Sequence, residues 1–260
     1  MEIRNENVIR YILPLREGGS LPALVEADDG FKYVLKFRGA GHGTKALIAE
    51  FVGGEIARLL GLKVPEIVFL NLDETFGQTE ADEEIQDLLK WSRGLNMGLH
   101  FLSGALTFDP VVNDVDSETA SYIVWLDALL MNIDRTVKNT NLLIWHNELW
   151  LIDQGASLYF HYTWTNWEKQ ALSPFTQIKH HVLLRKASEL DRIDSLCREK
   201  LSLDKISDII QTIPDDWLNW EGCEQTNQEK RDVYIEFFKR RIANADIFVN
   251  EAQNARKTSI

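Results

Sequence analysis

Asp134 stands five positions before Asn139, and a second carboxylate, Asp153, follows that amide by 14 residues in Leu151-Ile152-Asp153-Gln154-Gly155. Two carboxylates and an amide suit a hard cation such as Mg²⁺, which commonly takes one or two oxygens from protein and the rest from water and phosphates. Asp134 is then left to accept or orient the proton of a nucleophile. A loop Asp standing alone is more often a helix cap. The pairing with Asp153, at the end of a strand, is what gives the spacing chemical meaning.

Bringing these groups together takes a helix, a loop and a hairpin. Ser117–Met131 reads as an amphipathic helix with a capped start at Ser117. Leu142–Trp145 and Leu149–Ile152 read as strands that turn at His146-Asn147. Upstream, Val8–Leu15, Ala23–Ala27 and Tyr33–Phe37 are apolar runs broken by Glu17-Gly18-Gly19-Ser20 and by Asp28-Asp29-Gly30, which predicts three consecutive antiparallel strands. A loop from Arg38 leads to Thr44 as N-cap. Lys45–Leu60 follows, apolar at helical period and closed by Gly61. Val64–Leu70 returns to strand, Asp73–Asp87 reads as a solvated acidic insert, and Arg93–Gly104 reads as a strand becoming a Gly-marked connector. Residues 184–197, 202–212 and 227–253 read as helices. Strand-rich then helix-rich halves predict an α+β protein with a seam at Gly94–Gly104, dividing 1–104 from 105–260.

Composition narrows the function classes. A formal net charge of −12 argues against nucleic acid as the main partner, because duplex binding draws most of its affinity from cations set against phosphates. No window approaches the roughly 18 consecutive apolar residues of a membrane span, and the start lacks the basic-then-apolar layout of a signal peptide. Cys197 and Cys223, the 2 cysteines, lie in separate polar segments, against a disulfide framework or thiolate zinc site. The expectation is a cytoplasmic protein. Other motifs fall away on inspection. Gly39–Lys45 has P-loop letters in the wrong order, and adjacent His180-His181 diverge too far for a zinc pair.

Asp134-x-x-x-x-Asn139 followed by Asp153-x-Gly155 resembles the catalytic-loop and metal-loop pair of the protein-kinase superfamily. The run from Leu126-Asp127-Ala128 through Asp134-Arg135 to Asp153-Gln154-Gly155 is most similar to the HipA-like bacterial kinases, with the phosphoinositide lipid kinases as second relatives. The resemblance spans residues 10–160 and implies a two-lobed fold, an antiparallel-sheet N-lobe over a mainly helical C-lobe, working with ATP and Mg²⁺. It implies Asp134 as the catalytic aspartate, Asn139 and Asp153 as metal ligands, and Lys36 on the third strand as the lysine for the α- and β-phosphates. Glu50, in Ala49-Glu50-Phe51, is its preferred partner and Glu55 the alternative. Gly18, Gly19 and Ser20 stand at the phosphate-loop position, where backbone N–H groups could cradle oxygens. Gly98, Leu99, His100 and Phe101 resemble the hinge whose backbone reads adenine.

The implied reaction is transfer of the γ-phosphoryl group of ATP to a hydroxyl, with a protein Ser or Thr as acceptor. A lipid-kinase-like small-molecule hydroxyl and a nucleotide-binding pseudokinase are the alternatives. Two departures stand out. The phosphate loop is Gly-Gly-Ser, not Gly-x-Gly-x-x-Gly, and Gln154 replaces the usual Phe. The chain is also shorter than HipA toxins carrying an N-terminal antitoxin-binding region, a departure that counts against expecting a toxin–antitoxin role and leaves that question open.

Overall fold

The computed structural model describes residues 2–15, 21–74, 76 and 82–259. The chain begins with strands β1 (Asn5–Pro14), β2 (Ala23–Ala27) and β3 (Lys32–Lys36), paired antiparallel with Tyr11 opposite Val25 and Val25 opposite Tyr33. The turn between β2 and β3 is where Asp28-Asp29-Gly30 puts it. Gly30 takes φ 82°, and Asp29 accepts the Phe31 N–H at 3.0 Å. Helix α1 (Gly43–Leu60) follows. Its N-cap is His42, without a side-chain cap, so Thr44 lies inside the first turn instead of capping it. Gly61, left-handed at φ 91°, ends the helix as expected.

Strand β4 (Ile67–Leu72), helix α2 (Glu83–Trp91) and strand β5 (Gly94–His100) complete the first part. β5 pairs antiparallel with β3 and β4, and β1 pairs parallel with β4 from Asn5 opposite Phe69 to Asn7 opposite Asn71. The sheet therefore closes into a barrel, β1-β2-β3-β5-β4. This corrects the purely antiparallel sheet expected from sequence. Val25, Tyr33, Leu35, Val68 and Leu70 fill the interior. A Cβ on Gly98 would lie 2.5 Å from Leu70 Cδ1, so the packing of β4 on β5 requires glycine there. The acidic stretch is solvated where it is described, with Asp73, Glu74, Glu83, Glu84 and Asp87 exposed, but it ends in a helix that was not expected. Asp82 caps α2 by accepting the Glu84 N–H, and Ile85, Leu88 and Leu89, on one helical face, pack into the barrel's apolar cluster.

The second part holds β6 (Leu106–Thr107), α3 (Ser117–Leu130), the β7 (Leu142–Trp145) and β8 (Glu148–Leu151) hairpin, and short helices α4 (Phe160–Thr163) and α5 (Trp167–Ala171). A 3₁₀ turn at Thr176–His180 precedes α6 (Leu190–Lys200), α7 (Leu203–Gln211), α8 (Asp215–Leu218), α9 (Asn227–Ala243) and α10 (Ala245–Ser259). His146 and Asn147 carry φ of 50° and 61°, the two left-handed residues of a tight hairpin turn. α3 is capped by Asp116, one residue before the expected Ser117, whose hydroxyl instead donates to Glu189. The single helix expected over 227–253 is two, parted at Asn244.

α1 unites the two parts. It packs against β5 and also against α3, α6, α7 and α8, and its residues from Leu47 to Ala57 are all buried. Adjacent glycines permit the closest approaches. A Cβ on Gly53 would sit 2.8 Å from Gln154 Cβ, and one on Gly54 2.7 Å from Ile67 Cδ1. One apolar core thus runs from Phe69 and Met97 through Phe51 into Leu126 and Trp217. Among the described residues no helix is long and apolar enough to cross a membrane.

Candidate active site

α3 ends with Met131 left-handed at φ 59°, and the chain turns at once into the loop that carries Asp134. Thr136 N–H donates to the carbonyls of both Asp134 and Asn139 at 2.9 Å, which draws the loop into a tight ring. Across that ring Asn139 Nδ2 donates to Asp134 Oδ2 at 2.7 Å, with Asn141 Nδ2 at 3.3 Å. The Asn139 amide nitrogen is therefore engaged by Asp134, while its oxygen is the atom suited to a cation.

Lys36 lies on β3, opposite Met97 of β5. Its Nζ donates to Asp153 Oδ1 at 2.9 Å and stands 3.8 Å from Glu50 Oε2. Glu50 is thus the partner, as preferred. Glu55 pairs with Arg58 at 3.4 Å on another face of α1. Burial works against the Lys36 ammonium, but Glu50 and Asp153 outweigh it and hold its pKa above the usual lysine value. Burial raises the Glu50 pKa, with Lys36 opposing. Lys36 in turn lowers that of Asp153, which stays ionised. Asp153 is left-handed at φ 58°, a conformation costing a non-glycine residue about 1–3 kcal/mol that surrounding contacts must offset. Lys36 holds its side chain through the 2.9 Å hydrogen bond.

Lys36, Glu50, Asp134, Asn139 and Asp153 all border one cavity of about 370 Å³. Among the described residues no three His, Cys, Asp or Glu side chains cluster as a ready-made metal site. A cation here would rest on one carboxylate and one amide, a donor set that fits Mg²⁺ completed by phosphate and water oxygens.

Gly18, Gly19 and Ser20 lie outside the described residues. The hinge residues are corrected. Gly98, Leu99 and His100 are inside β5, held between β3 and β4, and none of them borders the cavity. The His100 N–H donates to Glu66 O and the Phe101 N–H to Lys32 O, so neither is free to read a base. Gly98 serves barrel packing, and the connector proper starts at Leu102.

Sequence reasoning missed the set that holds the loop from behind. Asp127, in the middle of α3's apolar run, accepts from Arg135 Nε at 2.6 Å, His181 Nε2 at 2.8 Å and Asn132 Nδ2 at 3.1 Å, all fully or nearly buried. His181 Nδ1 accepts the Leu183 N–H at 3.0 Å, so its proton is on Nε2. Burial lowers the His181 pKa, and the ring serves as a neutral donor. Burial alone would raise the Asp127 pKa, but Arg135 and His181 bring it below the usual value. Arg135 Nη2 also donates to Gln154 Oε1 at 2.9 Å. The residue at the usual Phe position is thus a polar tether from the Asp153 segment to the Asp134 loop. A lone Asp inside Val124-Trp125-Leu126-Asp127-Ala128-Leu129-Leu130 was the available signal, since a buried carboxylate requires a partner.

The family model of the HipA-like kinases matches residues 8–248. Among solved structures, the crystal structure of the Helicobacter pylori proinflammatory kinase CtkA is similar, with a TM-score of 0.54 and 13% sequence identity, over 100% of this chain and 99% of that one. At that identity the likeness is one of fold. No curated protein matches the chain.

Proposed function

The chain belongs to the HipA-like kinase family, and we propose that it transfers the γ-phosphoryl group of ATP to a hydroxyl, that of a Ser or Thr in an acceptor protein. The observation that carries this reading is the convergence of five polar side chains, from β3, α1, the Asp134 loop and the segment after β8, on one cavity. Lys36, kept charged by Glu50 and Asp153, positions the phosphates. Asp134 orients the acceptor hydroxyl and takes its proton as the oxygen bonds to the γ-phosphorus. The bond to the bridging oxygen breaks and ADP leaves. Mg²⁺, with Asp153 and Asn139 as its protein ligands, would supply compensation for phosphate charge when bound.

A protein acceptor is supported by the site's openness: Asp134 is half-buried and Asn139 exposed, so a side chain presented on a neighbouring surface can approach. The presence of all five groups weighs against a pseudokinase. A cytoplasmic setting, with its ATP, Mg²⁺ and reducing conditions, fits two free thiols. The test is incubation of purified protein with γ-labelled ATP and Mg²⁺, with and without a cell extract. Label on Ser or Thr of a protein is expected. Label on a small molecule would shift the acceptor class, and nucleotide binding with neither transfer nor hydrolysis would overturn the enzymatic reading.

A further inference from the structure

Beside the cavity that holds Lys36 and Asp153 lies a second one of about 740 Å³. The Asp134 loop separates them: Asp134 and Asn139 border the first, while Thr136, Val137 and Lys138 border the second. The far wall is tied to that loop by the backbone. Thr136 forms an antiparallel bridge with His181, and the Val182 N–H donates to Arg135 O at 3.0 Å. Whatever occupies this cavity is therefore registered against the loop carrying Asp134.

The cavity has an apolar floor and a cationic rim. Phe108, Val115, Leu183 and Leu184 are buried, and the rim carries exposed Lys138, Lys179, Arg185 and Lys186. No Asp or Glu is among its lining residues. In a chain with 40 acidic against 28 basic side chains, this local reversal of sign is the opposite of the surface average. Lys186 pairs with Asp114, but among the described residues Lys138, Lys179 and Arg185 form no ion pair. Three unneutralised cations around an apolar depression attract an anionic partner and repel a cationic one.

We propose that this second cavity docks an acidic segment of the acceptor protein, with an apolar side chain over the floor and Asp or Glu residues facing Lys138, Lys179 and Arg185. The inference rests on the protein-kinase reading above and names the chemistry of the acceptor that site would serve. A small inorganic anion would leave the apolar floor uncovered. A nucleic acid would bring its dense charge against an acidic molecule.

The probe is a fluorescein-labelled decapeptide of Asp and Glu around one central Leu, read by anisotropy at low salt. A Lys-for-acid version, phosphatidylserine vesicles and a single-stranded oligonucleotide serve as comparators. The variants are K179E/R185E, its neutral form K179Q/R185Q, and a charge-matched control, K32E/K90E, at exposed residues in the barrel part. The acidic peptide is expected to bind and to weaken with salt. Affinity should fall about tenfold or more in K179E/R185E, fall less in the neutral form, and stay near native in the control. Equal losses in the control, no peptide binding by the native protein, or tighter binding of vesicles or oligonucleotide would overturn the proposal. An ATP·Mg²⁺ thermal shift measured in parallel keeps the two readings apart. Its absence in the native protein would strike the kinase reading, whereas its retention in K179E/R185E alongside unchanged peptide binding would strike only the docking site.

Discussion

Lys36 and Asp153 are 117 residues apart in sequence and joined by a 2.9 Å hydrogen bond. That contact ties barrel strand β3 to the segment leaving the β7–β8 hairpin, with Glu50 of α1 as third member. Its geometry states what each residue's removal should do.

Lys36→Met keeps the apolar stem and deletes the charge, so transfer should fall strongly while the fold survives. The pH response between mildly acid and neutral should also steepen, because Lys36 no longer opposes the burial that already raises the Glu50 pKa. In the native protein the lowered Asp153 pKa contributes stability above the ordinary Asp value of 3.8, lost as pH falls through the lowered one. The raised Lys36 pKa contributes below the ordinary 10.5, lost as pH rises through the raised one. Without Lys36, Glu50 and Asp153 become neighbouring carboxylates with raised pKa values, and stability should grow as they take up protons. Thermal melts from mildly acid to neutral pH should converge toward low pH. Parallel profiles would dissociate Lys36 from the pair.

Asp153→Ala removes the carboxylate proposed for Mg²⁺. Ligand at 100 times its dissociation constant stabilises a native protein by about 2.7 kcal/mol. That Mg²⁺-dependent part of the ATP shift should vanish in the variant, as seen by calorimetry or dye-monitored melting. An unchanged shift would end the metal role of Asp153.

Asp134→Asn is close to isosteric and can still accept from Asn139 through its amide oxygen. It cannot take a proton, so transfer should drop about 10²–10⁴-fold, with ATP affinity altered less than about tenfold. Joint loss of binding and transfer would make Asp134 a structural or metal residue.

Asp127→Asn leaves the Arg135 guanidinium, buried at 1% exposure, without its counter-charge. Removing one partner of a buried pair costs about 3–5 kcal/mol. Urea unfolding should show the unfolding free energy lowered by that amount, through a lower midpoint at an unchanged slope. A loss below about 1 kcal/mol would mean that water or Gln154 compensates the charge.

How far the sequence spoke depended on the range of each interaction. The β2–β3 turn was legible because Asp28-Asp29-Gly30 encodes it within three residues. So was the hairpin turn at His146-Asn147. Closure of the barrel was not, since nothing within β1 announces a parallel partner more than 60 residues on, at Phe69. α2 hid because Ile85, Leu88 and Leu89 sit among carboxylates that dominate local charge. The spacing of Asp134, Asn139 and Asp153 was visible, but the buried support was not: His181 is 54 positions from Asp127, and only the folded chain pairs them. The hinge was misplaced because Gly98 reads like a loop glycine, while its missing Cβ makes room for Leu70.

The two α1 glycines should behave differently when replaced. Alanine favours a helix interior by about 1 kcal/mol over glycine. At Gly54 the obstacle is the tip of Ile67, which can rotate away, so Gly54→Ala should be near neutral. At Gly53 it is Cβ of Gln154, next to Asp153, which cannot move without its backbone. Gly53→Ala should cost about 1–3 kcal/mol, the usual range for overpacking, and depress transfer beyond the loss of folded protein. Equal effects at the two positions would refute this placement of α1.

The position of α1 also sets a schedule for synthesis. The five barrel strands are complete once residue 100 has emerged, but the partners of α1's other face extend to α8, ending at Leu218. At about 5–20 residues per second, α1 waits on the order of ten seconds on the ribosome with an apolar flank uncovered. That interval, and not the finished protein, is where aggregation or chaperone capture should concentrate. Slowing translation within this window should lower soluble yield more than slowing it after Leu218.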